Sequence, residues 1–199
     1  LNVPYEKKFG DLYLAYLAAL PFFGLIPRAA LQITEFRHRL EKIIDLIEGC
    51  PYSLHDLSRV QLDRKPPPTP RFNMPFELGI AVATARIRPS HRWFVLEEKP
   101  FRLQKSLSDL NGIDPFVHEA KPEGVLRQIC NVFTREGGQP SMPRILEAYT
   151  KLRRLVPELK QDTGAQSLFE PRIFDGLVIA SKSLANTPAV RAANLPQSG

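Results

Sequence analysis

The 199-residue chain reads as an α/β protein built on a parallel sheet. Three observations predict that class. Strand-like and helix-like segments alternate five times through residues 1–138. Segment 51–57 is short and alternates poorly, as in a strand covered on both faces. The longer segments repeat their apolar residues at helical spacing. Together they predict five parallel strands in the order 2-1-3-4-5, with helices on both faces. A C-terminal helical extension covers 139–186, and 187–199 reads as a tail.

Each element follows from local signals. Leu1-Asn2-Val3-Pro4 reads as the end of a first strand, stopped by a proline that cannot donate to a ladder. Because the chain opens inside that apparent strand, further residues are expected before Leu1. Leu12, Leu14, Ala15, Leu17 and Ala18 mark a helix from Asp11 to Phe23, closed by Gly24. Leu25 to Ala29 is a second, edge strand because of Pro27. Arg39 to Gly49 is a helix with Leu40, Ile43, Ile44 and Ile47 inward and Arg39, Glu41, Lys42 and Glu48 outward. Pro51 to Leu57 is the third strand, followed by a stiff connection through Pro66, Pro67, Pro68 and Pro70.

Asn73 is expected to cap the next helix, which tolerates Pro75 in its first turn and runs to about Arg86. Trp93 to Leu96 is the fourth strand, and Phe116 to Glu119 the fifth. Gly124 to Arg135 is the helix after it. Pro140 and Pro143 punctuate a linker, then 145–159 and 167–185 read as two more helices.

Bulk properties limit the function. The net charge is +6, but cations and anions are interleaved, so the basic balance points to a small phosphate-bearing ligand more than to nucleic acid. Cys50 and Cys130 stand far apart, at no metal or redox spacing, and read as buried thiols. Such usage suits a cytoplasmic setting. No apolar run approaches membrane-spanning length, so no membrane association is expected. His91 and His118 have no partners at ligand spacing, so no metal and no resident cofactor are expected. Ser108 to Asp114 lacks the glycine position and closing Glu of a calcium loop.

The chemistry-bearing residues cluster where strands end and helices begin. In a parallel sheet that is where ligands bind. Glu77 lies one turn into its helix, where the amide dipoles favour an ionised carboxylate able to stabilise or attack an anomeric carbon. Asp56 ends the third strand and is read as catalytic beside Glu77, orienting it or the sugar. Asn2, Tyr5, Ser58 and Asn73 are candidates for sugar, base or phosphate contacts. Arg28, Arg59 and Arg71 are candidates for phosphate, and Asp109 for the rim of the pocket. Each has a plainer reading as a cap, a turn former or a surface charge.

The run Asp56-Leu57-Ser58, a loop, then Phe72-Asn73-Met74-Pro75-Phe76-Glu77-Leu78-Gly79 resembles the TIR-like and nucleoside 2-deoxyribosyltransferase-like superfamily. Residues 1 to about 135 look similar to an uncharacterised bacterial family of predicted nucleotide-binding proteins within it. Leu1 to Tyr5, Ile26-Pro27-Arg28 and Ser106 to Gly112 carry the closer likeness. The resemblance implies a flavodoxin-like sheet, a nucleotide or nucleoside pocket, and Glu77 in the place of the catalytic glutamate. It implies N-glycosidase or NAD-cleaving activity, with NAD or another nucleotide as ligand. The chain departs from the transferases in its longer, Pro-laden loop before Asn73 and in having no second carboxylate at their spacing. Two alternatives stay open: a non-catalytic nucleotide-sensing module that self-associates through its C-terminal helices, and a protein-interaction scaffold whose strand ends are filled by their own side chains.

Overall fold

Residues 1–33, 38–60, 62–63, 69–134 and 138–187 are described by the computed structural model. The Pro66-Pro67-Pro68 connection and the tail from 188 onward lie outside them. Among the described residues five short strands form: β1 (Tyr52–Asp56), β2 (Leu62–Asp63), β3 (Thr69–Pro70), β4 (Arg92–Glu97) and β5 (Phe116–Val117). The sheet itself is a small parallel one of three strands, β1-β4-β5, with Tyr52 opposite Arg92 and Leu96 opposite Phe116. β2 and β3 make a separate antiparallel pair.

Two of the five expected strands are therefore reduced or missing. The first survives as one parallel bridge, Asn2 opposite His55. Asn2 N–H donates to the Leu54 carbonyl, and Asp56 N–H to the Asn2 carbonyl, both at 2.9 Å. Pro4 then ends the pairing, since it has no N–H. Leu25 to Ala29 forms no strand. Its Leu25 N–H is spent on the Leu20 carbonyl (3.3 Å), Pro27 has no donor, and the chain turns into a 3-10 segment at Ala30–Gln32. The last strand also stops early. His118 N–H still reaches the Glu97 carbonyl (2.9 Å), but Glu119 and Ala120 take φ of 57° and 55° and swing the chain away.

Helices cover both faces. On one lies α1 (Gly10–Ala19), with Tyr13, Tyr16 and Leu17 wholly buried. Gly24 ends the 3-10 turn that follows, at φ 73°. α5 (Pro122–Val132), α6 (Met142–Thr163) and α7 (Pro171–Asn186) surround α1. Ile145, Leu152, Ile173, Phe174 and Leu177 join α1, Leu54 and Leu96 in one core. Each such buried side chain contributes about 1.5–3 kcal/mol. α6 is longer than its apolar spacing predicts and continues through Pro157.

On the other face lie α2 (Arg39–Glu48) and α3 (Asn73–Ile87). Met74 and Leu78 pack with Leu57, Val95 and Leu103, the last from the short α4 (Arg102–Ser106). Ile43, Ile47 and Ala81 join α2 to α3. β1 thus alternates. Leu54 and Asp56 face α1, while His55 and Leu57 face α3. None of the described helices is long and apolar enough to cross a membrane.

Candidate functional site

The carboxyl end of the sheet carries two groups of polar side chains, one on each face. The first is centred on Asp56, which is wholly buried. Tyr16 Oη donates to Asp56 Oδ2 (2.7 Å), and the Ser58 amide donates to Oδ1 (3.0 Å). His118 Nε2 lies 3.0 Å from Oδ2 and 3.0 Å from Ser58 Oγ. The Ala120 amide donates to His118 Nδ1 (3.1 Å), so the imidazole proton sits on Nε2. A nucleophilic relay needs serine and aspartate at opposite ring nitrogens. Here both share Nε2, and Ser58 and His118 are as buried as Asp56. The arrangement ties the end of β1 to α1 and to the chain after β5. Burial, then the Asp56 charge, drives the Tyr16 hydroxyl pKa well above its usual value, so it remains a donor.

Beside this group, Arg102 Nη2 donates to the Leu57 carbonyl (2.8 Å) and to Glu97 Oε2. Burial raises the Glu97 pKa against the pull of that guanidinium.

The second group surrounds an open cleft of about 350 Å³ on the α3 face. Asn2, Tyr5, Arg39, Arg71, Asn73 and Glu77 line it. Asn2 reaches it through the bridge to β1. Its Nδ2 donates both protons, to His55 Nδ1 and to the Met74 carbonyl, each at 3.0 Å. That pins the first strand and β1 to the first turn of α3. Asn73 is the first residue of α3 rather than its cap, and no side chain caps the helix. The free amides of that turn add partial positive charge to the cleft.

Glu77 is half-buried and makes no hydrogen bond or ion pair with a described residue. Burial pushes its carboxyl pKa up, with the Leu1 ammonium and then Arg39 pulling the other way. The helix dipole alone had predicted the opposite direction. Glu77 also borders a void of about 30 Å³ shared with His55. Tyr5 Oη is buried, and burial raises its pKa, with the Glu77 charge adding to the effect and a hydrogen bond to the Ala30 backbone opposing it. Arg71 is held on Glu6 (3.0 Å), which also meets Arg59 (3.1 Å).

The structure thus brings Asn2, Tyr5, Arg71, Asn73 and Glu77 together. It does not bring Asp56 to Glu77. Odd and even positions of β1 point oppositely, so Asp56 lies under the sheet while Glu77 lies above it. Ser58 goes with Asp56. Arg28 pairs with Gln32 Oε1 (3.0 Å) and borders both the small void it shares with Asn2 and Glu77 and a separate groove of about 300 Å³, but it does not line the larger cleft. Arg59 pairs with Glu6 and approaches Glu98 (3.8 Å), outside the residues lining the cleft. Asp109 is exposed on a 3-10 turn at Ser108–Leu110 and lines neither of these spaces.

Sequence reasoning missed Arg39, read as an outward charge of α2, and the Tyr16–Asp56–His118 link. Both join residues about 30 to 60 positions apart, with no local signature. No protein-family model, curated protein or solved structure matches this chain. The geometry carries the functional argument by itself.

Proposed function

We propose that the cleft beside α3 binds a nucleotide and that Glu77 acts on its N-glycosidic bond. One observation carries this reading: a half-buried carboxyl without a partner faces the same open space as Asn73 and two arginines. Phosphate suits Arg71, Arg39 and the uncapped helix turn. The ribose lies toward Asn73 and Glu77. In this reading the sheet is a shortened flavodoxin-like one. The order Asn2 bridge-β1-β4-β5 supports this reading, with the four taken as strands 1-3-4-5 of the expected order.

The ionised carboxylate would stabilise positive charge at C1′ as the C1′–N bond breaks and the bond pair leaves with the base. Water then adds to C1′ and gives a proton to Glu77. With Asp56 sequestered, no second carboxylate among the described residues lines the cleft to protonate a leaving base. A base that departs neutral without a proton, such as the nicotinamide of NAD, fits that single-acid arrangement best. Incubation with NAD and with deoxynucleosides, followed by chromatography of released base, tests the reading. The native chain is expected to release nicotinamide, with the rate rising as pH passes a midpoint above 4.5. Glu77→Gln is expected to lose at least 100-fold, on the order of general acid–base contributions. Equal rates for both chains would remove the role.

The same missing acid favours a second reading, in which the cleft senses a nucleotide without turning it over. Calorimetric binding of NAD with no released base would select it.

A further inference from the structure

The protonation of His55 is fixed by its neighbour. Asn2 Nδ2 lies 3.0 Å from the Met74 carbonyl, which can only accept, so that atom is the amide nitrogen. Its other proton goes to His55 Nδ1, also at 3.0 Å, and the ring therefore carries its own proton on Nε2. His55 is 1% exposed, and Nε2 makes no hydrogen bond within the chain. A buried N–H left unmatched is costly, so such donors are matched by protein or by ordered water.

The void of about 30 Å³ shows which of the two applies. His55, Asn2 and Glu77 border it, with Ile43 and Ile47 among its apolar walls. A water needs about 10–15 Å³ of such space, whereas a drug-sized ligand needs roughly 300 Å³ or more. Glu77 brings to the same void a carboxylate with no hydrogen bond to a described residue. Asn2 Oδ1 has none either and is available as a third partner. Two to four such partners are what a buried water uses.

We propose that a water in this void accepts a hydrogen bond from His55 Nε2 and donates one to the Glu77 carboxylate, which makes His55 a positioning residue for Glu77. The bridge needs no ligand; its use in glycosidic cleavage rests on the nucleotide reading above. One carboxylate oxygen is held at the back of the cleft, and the other is left toward the sugar. The hydrogen bond also favours the ionised carboxylate against the burial that opposes it. The other titratable or charged groups around Glu77 are Arg39 of α2, Arg71 and Tyr5 in the cleft, and Leu1, Arg28 and Cys50 at the void. Burial keeps His55 neutral down to about pH 3, so the ring exchanges no proton with Glu77 and acts only by direction.

Nuclear magnetic resonance of the full chain without ligand tests the bridge. In native protein the His55 ring nitrogens are expected to show the Nε2-protonated tautomer. The Nε2–H signal is expected to show an Overhauser contact to water and to shift as Glu77 titrates, a shift that vanishes in Glu77→Gln. The Glu77 midpoint, read from its carboxyl carbon, is expected to rise by about one unit or more in His55→Leu. It is expected to stay near the native value in His55→Gln, which keeps a donor and an acceptor. A ring proton on Nδ1, or an Nε2–H signal indifferent to Glu77, overturns the bridge in native protein, whether or not the variants fold. So does a folded His55→Leu with an unchanged midpoint. Nicotinamide release that depends on Glu77 alongside any of these results leaves the cleft reading standing. A coupled His55–Glu77 pair in a chain that releases no base removes the cleavage and supports the bridge.

Discussion

Asp56 accepts hydrogen bonds from Tyr16, the Ser58 amide and His118, while Glu77 accepts none from a described residue. The satisfied carboxylate is spent on structure, since any ligand would have to break three bonds and open the sheet to reach it. The unsatisfied one is available for chemistry. His55 lies between these cases. Its Nδ1 accepts from Asn2, but its Nε2 is buried with no partner. Burial first of all pushes its pKa down to about 3, from 6.5 for a free histidine. Between those values the unfolded chain binds a proton that the folded chain refuses, so stability is full above about pH 6.5 and falls as pH drops toward 3. The slope from this one group is about 1.4 kcal/mol per pH unit. Urea denaturation at pH 7, 6, 5 and 4 checks it. His55→Gln is expected to flatten the pH dependence by that amount, and an unchanged slope would show that other groups carry it.

At the scale of elements, the turn from β5 into α5 holds His118 where Asp56 needs it. Glu119 and Ala120 adopt left-handed φ there, and α5 packs directly against the His118 backbone. A Cβ on Gly124 would lie 2.1 Å from the His118 carbonyl oxygen, and backbone cannot rotate away as a side chain can. Gly124→Ala is therefore expected to cost about 3 kcal/mol or more by overpacking. Thermal denaturation should show a clearly lowered midpoint, whereas Gly79→Ala, with open space around it, should not. The start of α3 is set by comparable local detail. With no side chain capping it, Asn73 keeps its amide group at the cleft, and Asn2 anchors the first turn through the Met74 carbonyl instead.

Across the whole molecule, α6 and α7 pack on the side of α1 away from the sheet, closing its core. α1 is apolar on every side, which a helix lying on one face of a sheet and open to water on the other would not be. A chain truncated at residue 139 would uncover Tyr13, Leu14 and Leu17 along one face. The expectation is that it expresses as aggregate or lacks dispersed amide resonances, while the full chain gives a cooperative melt. A stable, folded truncation would show that the α/β part stands without the helices. The cleft lies on the opposite face, lined by none of their residues.

Much of this was readable along the chain. Helical spacing located α1, α2, α3, α5 and α7 within a few residues, because period and end signals are local. The segments 51–57 and 93–96, read as the third and fourth strands, form the parallel pair at the centre. Asn2, Tyr5, Asn73 and Glu77 fall at strand ends and helix starts, which a parallel sheet gathers on one edge, but the same reasoning also put Asp56, Ser58, Arg28, Arg59 and Asp109 there, and none of these lines the cleft. Strand count was not readable, since pairing depends on what lies opposite. Leu25 to Ala29 has strand composition but no neighbour accepts it as a strand, and one bridge is all that Pro4 leaves of the first.

The residues alone determined the α/β class and the helices, because these follow from local periodicity. Only the tertiary structure decided which face of the sheet each carboxylate occupies. A strand alternates its side chains every residue, so the registration of β1 against α1 and α3, set by packing far along the chain, buried Asp56 and left Glu77 open.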